Sequence, residues 1–518
     1  MVPRFGFLVR SVHPVISVVR SLWFLPAEQM TTFYIEQFGC RATQADGAAI
    51  ERQLLDRGCF AATDSAAADV VIVNTCTVTA AADSQARDAI RKIHARNPAA
   101  KVIVTGCYAQ RAPEQLAALP GISWVVGNSH KPQIPDLAAR IMRTFSASTE
   151  PGAFVPAETL FGSGPQVESA DPAFAHPALS LDRAAAKILT GDIFAQTTFL
   201  AAPVLGGEGN HTRPTLKIQD GCNSRCSYCV IPFVRGNSRS LPPREVIQEI
   251  CRLSESGYRE IVLSGINLGT YGRDLSPRVE FEDLLRRILD ETAIARLRIS
   301  SIEPLDVTQD LIALFASTPR IAQHFHMPLQ SGSDRILAAM HRWYRAEHYA
   351  RRVELIREHL PHAAIGADVI AGFPGETEED HATTKAFIDR LPFTYLHVFS
   401  FSKRPGTRAA SFPSEVPAAV IHRRARELRA LGENKAAAFL RTQVDRSVEI
   451  LTLRHTSRAT AETAWTPAIS SNYLQVRVSG DWPPNQRMQA HVVSAGAGHL
   501  DAQPETSNEL AVQHAPRG

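Results

Sequence analysis

Apolar residues along 31–145 fall into short β-branched runs, separated by longer stretches in which polar and apolar positions mix. Thr32-Phe33-Tyr34-Ile35, Val70-Val71-Ile72-Val73, Val102-Ile103-Val104 and Trp124-Val125-Val126-Gly127 read as four strands. Continuous apolar runs of this length are the mark of parallel strands covered on both faces. The alanine-rich, mixed-charge stretch 80–96 predicts a helix between the second and third strands, and a last helix is expected over about 135–145. This βαβ alternation predicts a doubly wound parallel sheet.

The pattern then breaks. Over 146–212, Pro151, Gly152, Pro156, Gly162, Gly164, Pro165, Pro172 and Pro177 interrupt any periodicity, so a long linker is expected, with a helix near 181–189. From 213 the alternation resumes. Strands are predicted at 216–219, 260–264, 296–300, 324–327, 364–370 and 395–399. Helices are predicted at 243–256, 281–290, 308–316, 335–340, 346–359 and 378–390. Six βα steps fall short of an eight-fold barrel. A helix over roughly 414–440 carries Arg423, Arg424, Arg426, Arg429 and Lys435, and alternating stretches such as Tyr473-Leu474-Gln475-Val476-Arg477-Val478 predict a small β-barrel. The expected organisation is an extension at 1–30, an N-terminal α/β domain at 31–145, a linker at 146–212, a partial (β/α)6 barrel at 213–436, a β-barrel at 437–502 and a disordered tail at 503–518. The extension, with Arg4, Arg10 and Arg20 among apolar residues, reads as a start site assigned too early or as a targeting segment, since Met30 directly precedes the first strand.

Composition adds little: 44% hydrophobic and 21% charged residues describe a soluble globular chain, and 55 basic against 52 acidic side chains leave a formal charge of +3. That balance neither demands nor excludes a nucleic-acid partner. No run reaches the ~18 apolar residues of a membrane-spanning helix.

The eight cysteines change the picture. They are too few for a disulfide scaffold, and six sit where ligands would, which implies a reducing compartment and metal binding. Cys59 and Cys251 read as packing residues. Cys222, Cys226 and Cys229 lie within Asp220-Gly221-Cys222-Asn223-Ser224-Arg225-Cys226-Ser227-Tyr228-Cys229, a spacing suited to a loop wrapped around an iron–sulfur cluster. A cubane normally takes four thiolates, so three leave one iron open. A partial zinc site is the competing reading, but it lacks a nearby fourth ligand. Cys40, Cys76 and Cys107 each follow a predicted strand, after Gly39, Thr75 and Gly106. Parallel strands end on one edge, where open α/β sheets bind ligands, so the three should converge on a second cluster. Three independent buried cysteines are the alternative.

The CxxxCxxC loop, with Tyr228 before its last cysteine, resembles the signature of the radical S-adenosylmethionine superfamily. That resemblance implies that the open iron binds S-adenosylmethionine and that reductive cleavage yields a 5′-deoxyadenosyl radical. It also implies cofactor contacts from Tyr228 and from the strand ends that carry Gly265, Asn267, Ser301, Glu303 and Gly372. The whole arrangement over about 31–500, ending in a barrel that resembles the RNA-binding TRAM module, is similar to the methylthiotransferase family. This implies two [4Fe-4S] clusters, one S-adenosylmethionine as methyl donor and another as radical source, and an auxiliary cluster on Cys40, Cys76 and Cys107 that handles the sulfur.

Three family branches compete. Asn74-Thr75-Cys76-Thr77-Val78-Thr79, Thr105-Gly106-Cys107-Tyr108-Ala109-Gln110 and Ser300-Ser301-Ile302-Glu303-Pro304 resemble the branch that modifies N6-threonylcarbamoyladenosine at position 37 of tRNA. His326-Met327-Pro328-Leu329-Gln330-Ser331-Gly332-Ser333 and Phe401-Ser402-Lys403-Arg404-Pro405-Gly406-Thr407 are shared more widely. The other branches act on isopentenyladenosine in tRNA or on a ribosomal-protein aspartate. The resemblance further implies tRNA, a flavodoxin- or ferredoxin-type electron donor and a sulfur source as partners, and a monomeric, cytoplasmic enzyme. The arginines of helix 414–440 would contact phosphates or simply face solvent. A non-catalytic iron–sulfur RNA-binding or electron-transfer protein is the reading of another class.

Overall fold

A computed structural model describes residues 32–147, 186–200, 202–204, 212–454 and 465–505. The extension at 1–30, most of the linker and the tail beyond 505 lie outside the described residues. Six parallel strands form the first sheet: β1 Thr32–Gln37, β2 Phe60–Ala61, β3 Val70–Thr75, β4 Lys101–Gly106, β5 Ile122–Gly127 and β6 Lys187–Leu189, in the order β2-β1-β3-β4-β5-β6. Val71, Val73, Val102 and Val104 pack on Ile90 and Ile93 of helix Ala80–Arg96. Val70, Ile72 and Ile103 pack the other way, on Ile50 and Leu54 of helix Arg41–Asp56 and Ile134 of helix Ile134–Ala147. Both faces are covered, which is why the strands read as unbroken apolar runs.

β6 corrects one expectation. Lys187–Leu189 is a strand rather than the end of a helix near 181–189, paired with β5 through Trp124↔Lys187 to Val126↔Leu189. Edge pairing satisfies the exposed backbone groups of β5, which outweighs the helix propensity of a short alanine-containing stretch. The connecting stretch therefore returns to the first sheet before entering the second unit.

Six strands of that unit run parallel: Thr215–Lys217, Glu260–Ser264, Arg296–Ile299, His324–His326, Ala364–Ala371 and Tyr395–Ser400. They form two parallel three-stranded sheets joined by bridges Leu297↔Ile321 and Ser301↔His326. Ile261, Leu263, Leu297 and Ile299 meet the outer helices in the largest core cluster. With a side-chain period of two, Glu260, Arg296 and Arg298 point inward. The strand Gln219–Asp220 and its antiparallel partner Arg239–Ser240 flank the loop that carries Cys222, Cys226 and Cys229.

Helix Ala418–Arg441 leads to a closed barrel of Ser447–Thr452, Trp465–Ser470, Gln475–Ser479, Arg487–Ala495 and Leu500–Pro504. The last strand continues past 502, so ordered pairing extends beyond the expected end of the barrel. Among the described residues, no helix is long and apolar enough to cross a membrane.

Buried charge fixes this barrel under the six-stranded unit. Arg296 and Arg298 both donate to Glu260, at 2.5 and 2.8 Å. Arg296 also donates to Glu449 at 2.7 Å, and Arg298 to the carbonyls of Ser470 and Ser471 at 3.0 Å. Burial opposes ionisation of Glu260, yet the charges of Arg298 and Arg296 hold its carboxyl well below the usual range. A carboxyl depressed on folding contributes stability above its unfolded value near ~4.3, and that stability is lost as pH falls below it. Glu260→Gln is expected to lower stability at pH 7 by about 3–5 kcal/mol, because Arg298 stays buried without its carboxylate and Arg296 keeps only Glu449. It should also flatten the acid limb of the stability profile. Unchanged thermal unfolding of the variant at pH 7 would contradict this.

The arginine helix is not a uniform basic face. Arg424 is buried against Glu376 and Glu378, at 2.7 and 2.8 Å, and Arg423 pairs with Glu378 and Glu427, at 2.6 and 3.0 Å. Arg426 and Arg429 are exposed. Arg424 is therefore not a phosphate contact: its charge is paired inside the fold. Arg424→Ala should lower the melting temperature, whereas Arg426→Ala should leave it unchanged. Equal melting temperatures for the two variants would refute the distinction.

Candidate functional site

Cys40, Cys76 and Cys107 follow β1, β3 and β4, three adjacent strands. Cys40 precedes helix Arg41–Asp56, and Cys107 opens the short helix Cys107–Arg111. Gly39 has φ +98°, and a Cβ there would lie 2.3 Å from Cys76 Cβ and 2.8 Å from its Sγ. Only glycine lets the Cys40 turn approach Cys76 this closely. Burial, together with the neighbouring thiols of Cys107 and Cys40, pushes the Cys76 thiol up to about 12. The three sulfurs thus share one electrostatic site. Asn128 Nδ2 lies 3.6 Å from Cys107 Sγ, and Thr43 Oγ1 3.6 Å from Cys40 Sγ.

Cys222, Cys226 and Cys229 form the second group. Burial and the nearby Cys226 push Cys229 up to about 12, and burial also raises Cys226. Arg342 donates from Nη1 to Cys226 Sγ at 3.4 Å and to Glu303 Oε1 at 3.2 Å, so it links Glu303 to the cysteine loop. Tyr228 is half-buried, and burial pushes its phenol upward. Asn267 and Ser301 lie at adjoining strand ends, and Gln219 Oε1 accepts from the Ile266 and Asn267 amides, so fixing the turn after Gly265. The Gly372 amide is taken by Glu376, at 2.8 Å. Asn267 Oδ1 and Ser300 Oγ are buried without a protein partner.

A cavity of ≈ 220 Å³ is lined by Cys229 and Tyr228 on one side and by Val78 and Thr79 on the other, with Gln330 and Asp368 also in its wall. Val78 and Thr79 belong to the loop that follows Cys76. Arg404 holds this loop, donating to Thr77 Oγ1 at 2.8 Å and Asp83 Oδ2 at 2.5 Å. Cys59 and Cys251 pack against core faces, away from both groups.

Sequence reasoning missed a buried ionic knot that joins the first sheet to the barrel. Asp46 accepts from Lys131 at 2.6 Å, from Arg235 at 3.0 Å and from Lys217. Asp220 accepts from Arg235 at 2.9 Å and Lys217 at 3.0 Å. Burial opposes ionisation of Asp46, but Arg235, Lys131 and Lys217 hold its carboxyl well below the usual range. Three cations face two carboxylates. Arg235 Nη2 also reaches Thr43 Oγ1 at 3.4 Å, beside Cys40, so the excess positive charge lies next to the first thiol triad. A lysine inside the apolar run Leu216-Lys217-Ile218 was the one available signal.

Both donor sets fit the groups expected. Each offers three thiols with no fourth cysteine nearby, a set that suits a cubane with one open iron better than tetrahedral zinc. The unpartnered Asn267 Oδ1 and Ser300 Oγ offer a small polar cofactor its hydrogen bonds.

Residues 32–127 match the uncharacterized protein family UPF0004, and residues 216–388 match the Radical SAM superfamily. The threonylcarbamoyladenosine tRNA methylthiotransferase MtaB of Aquifex aeolicus (strain VF5) is 33% identical over 446 residues, covering 86% of this chain and 96% of that protein. MtaB of Bacillus subtilis (strain 168) is 33% identical over 453 residues, covering 87% and 91%. The tRNA-2-methylthio-N(6)-dimethylallyladenosine synthase of Syntrophobacter fumaroxidans (strain DSM 10017 / MPOB) is 36% identical over 402 residues, covering 77% and 79%. An incomplete parallel barrel with its cysteine loop defines a radical S-adenosylmethionine enzyme. More narrowly, the chain belongs to the radical S-adenosylmethionine methylthiotransferase family, whose cofactors are S-adenosylmethionine and two [4Fe-4S] clusters.

Proposed function

We propose that this enzyme converts N6-threonylcarbamoyladenosine at position 37 of tRNA to its 2-methylthio derivative. The observation that carries the reading is a cavity lined both by Cys229 and by the loop following Cys76. A substrate held there would meet the radical-generating and sulfur-supplying centres together, as insertion at an unactivated C–H bond requires.

In this reading Cys222, Cys226 and Cys229 hold one cluster, and Cys40, Cys76 and Cys107 hold the other. When bound, the two clusters and S-adenosylmethionine supply the hydrogen-abstracting radical, the sulfur and the methyl group. Tyr228, Gly265, Asn267, Ser301, Glu303 and Gly372 shape the S-adenosylmethionine pocket, with Asn267 offering a free acceptor and Arg342 fixing Glu303 beside Cys226. Arg404, Thr77 and Asp83 keep the Cys76 loop against the barrel, which sets the separation of the two centres. The units of the reading are 31–145 for sulfur, 213–436 for the radical and 437–502 for RNA, with 146–212 connecting them. A flavodoxin- or ferredoxin-type donor, a sulfur source, a monomeric state and a cytoplasmic location complete it.

Relatives of similar identity that bear the dimethylallyladenosine name favour isopentenyladenosine as the second reading. Anaerobic turnover of the cluster-loaded enzyme with an equimolar mixture of the two tRNAs separates them. Threonylcarbamoyl product in excess is expected; isopentenyl product in excess would replace the first reading with the second.

A further inference from the structure

Inside the barrel, the cavity meets a side-chain group that the proposed chemistry leaves without a task. His326 Nε2 lies 3.0 Å from Asp368 Oδ1, and His397 Nδ1 lies 3.3 Å from the same oxygen. One ligand atom from each residue falls within 4.8 Å of the others. Two imidazole nitrogens and one carboxylate form the set that holds a divalent first-row metal ion on one face and leaves its other positions open.

The surroundings are those of a built site. His326 Nδ1 is bonded to Tyr395 OH at 2.9 Å, and that hydroxyl also meets His324 Nε2 at 2.7 Å. This fixes the His326 ring with Nε2 directed at Asp368, as outer partners do for metal-ligating histidines. Tyr395 reaches this position because residue 366 is glycine: a Cβ there would lie 2.0 Å from the Tyr395 ring. His326 is buried, Asp368 half-buried and His397 exposed, so the group is anchored on one side and open on the other. Asp368 lines the cavity that Cys229 and the Cys76 loop also line.

We infer that His326, Asp368 and His397 bind a divalent metal ion, and that this ion takes the carboxylate of the substrate's threonylcarbamoyl group. The second half rests on the threonylcarbamoyladenosine reading. Asp368 alone would repel that carboxylate; a dication held by it attracts the carboxylate and leaves open positions to accept it. The apolar isopentenyl group has no atom for such an ion, so the site discriminates between the two substrates of the family.

Manganese(II) is the probe. The cluster-loaded enzyme is titrated anaerobically with Mn²⁺, and free ion is followed by its electron paramagnetic resonance signal. One site is expected in the parent enzyme, lost in His397→Ala and in His397→Gln, the second of which keeps the side chain's bulk and polarity. Melting temperatures monitor folding of both variants. No Mn²⁺ site in the parent enzyme, or equal binding in parent and both folded variants, overturns the metal site. With threonylcarbamoyl tRNA the variants should show KM raised at least about 10-fold, the loss of one charge-assisted contact, and with isopentenyl tRNA an unchanged KM. Mn²⁺ binding without that KM difference overturns the substrate contact. Mn²⁺ binding is read without tRNA, so a wrong substrate assignment, seen as exclusive isopentenyl product, is told apart from a failed metal site.

Discussion

Cys76→Ala is expected to abolish methylthiolated product while S-adenosylmethionine is still cleaved to 5′-deoxyadenosine, whereas Cys229→Ala is expected to abolish both. The two thiol groups stand on different units, one on the edge of the first sheet and one on the barrel loop. Loss of a thiolate from the sheet edge leaves Cys222, Cys226, Cys229 and the Arg342–Glu303 pair in place. Loss of Cys229 removes one of the three donors that, in the proposed reading, hold the cluster that cleaves S-adenosylmethionine. Both products are read by mass spectrometry after anaerobic turnover with reductant. Methylthiolated tRNA from Cys76→Ala, Cys40→Ala and Cys107→Ala alike would remove the first thiol group from the chemistry.

Asp46→Ala is expected to destabilise the protein by about 3–5 kcal/mol, since three buried cations lose the carboxylate they share. Lys131 lies on the first unit and Lys217 and Arg235 on the second, so the damage falls on the contact between them. The predicted signature is a lower melting temperature, with the first unit becoming accessible to protease before the barrel. Lowering pH acts the same way: the Asp46 carboxyl is depressed on folding, so its contribution is complete above about pH 4 and lost as acid protonates it. A variant that melts with the parent at pH 7 would show that the knot does not hold the units together.

Most of the fold was legible because the relevant signals are local. Strand runs that end in cysteine, the alanine-rich helix Ala80–Arg96 and the six βα steps each declare themselves within about 20 residues. The convergence of Cys40, Cys76 and Cys107 was legible too, since parallel strands end on a common edge. What stayed hidden depends on contacts distant in sequence. Lys187–Leu189 is a strand only because the edge of β5 is there to receive it. Arg424 looked like part of a basic helix face, and only the packed helix shows Glu376 and Glu378 beside it. Asp46 and Arg235 lie 189 positions apart and look like ordinary surface charges until the two units dock. His326 and Arg404 stand in recognisable motifs, but their partners, Asp368 and Tyr395 for one and Thr77 and Asp83 for the other, lie on other strands or on the other unit.

The proposed tRNA modification is tested by nucleoside mass spectrometry of tRNA from cells that lack their own methylthiotransferases, with and without this gene. The appearance of 2-methylthio-N6-threonylcarbamoyladenosine only when the gene is present is the predicted result. Absence of any methylthio nucleoside, from protein shown to carry both clusters, would leave tRNA without a role as its substrate.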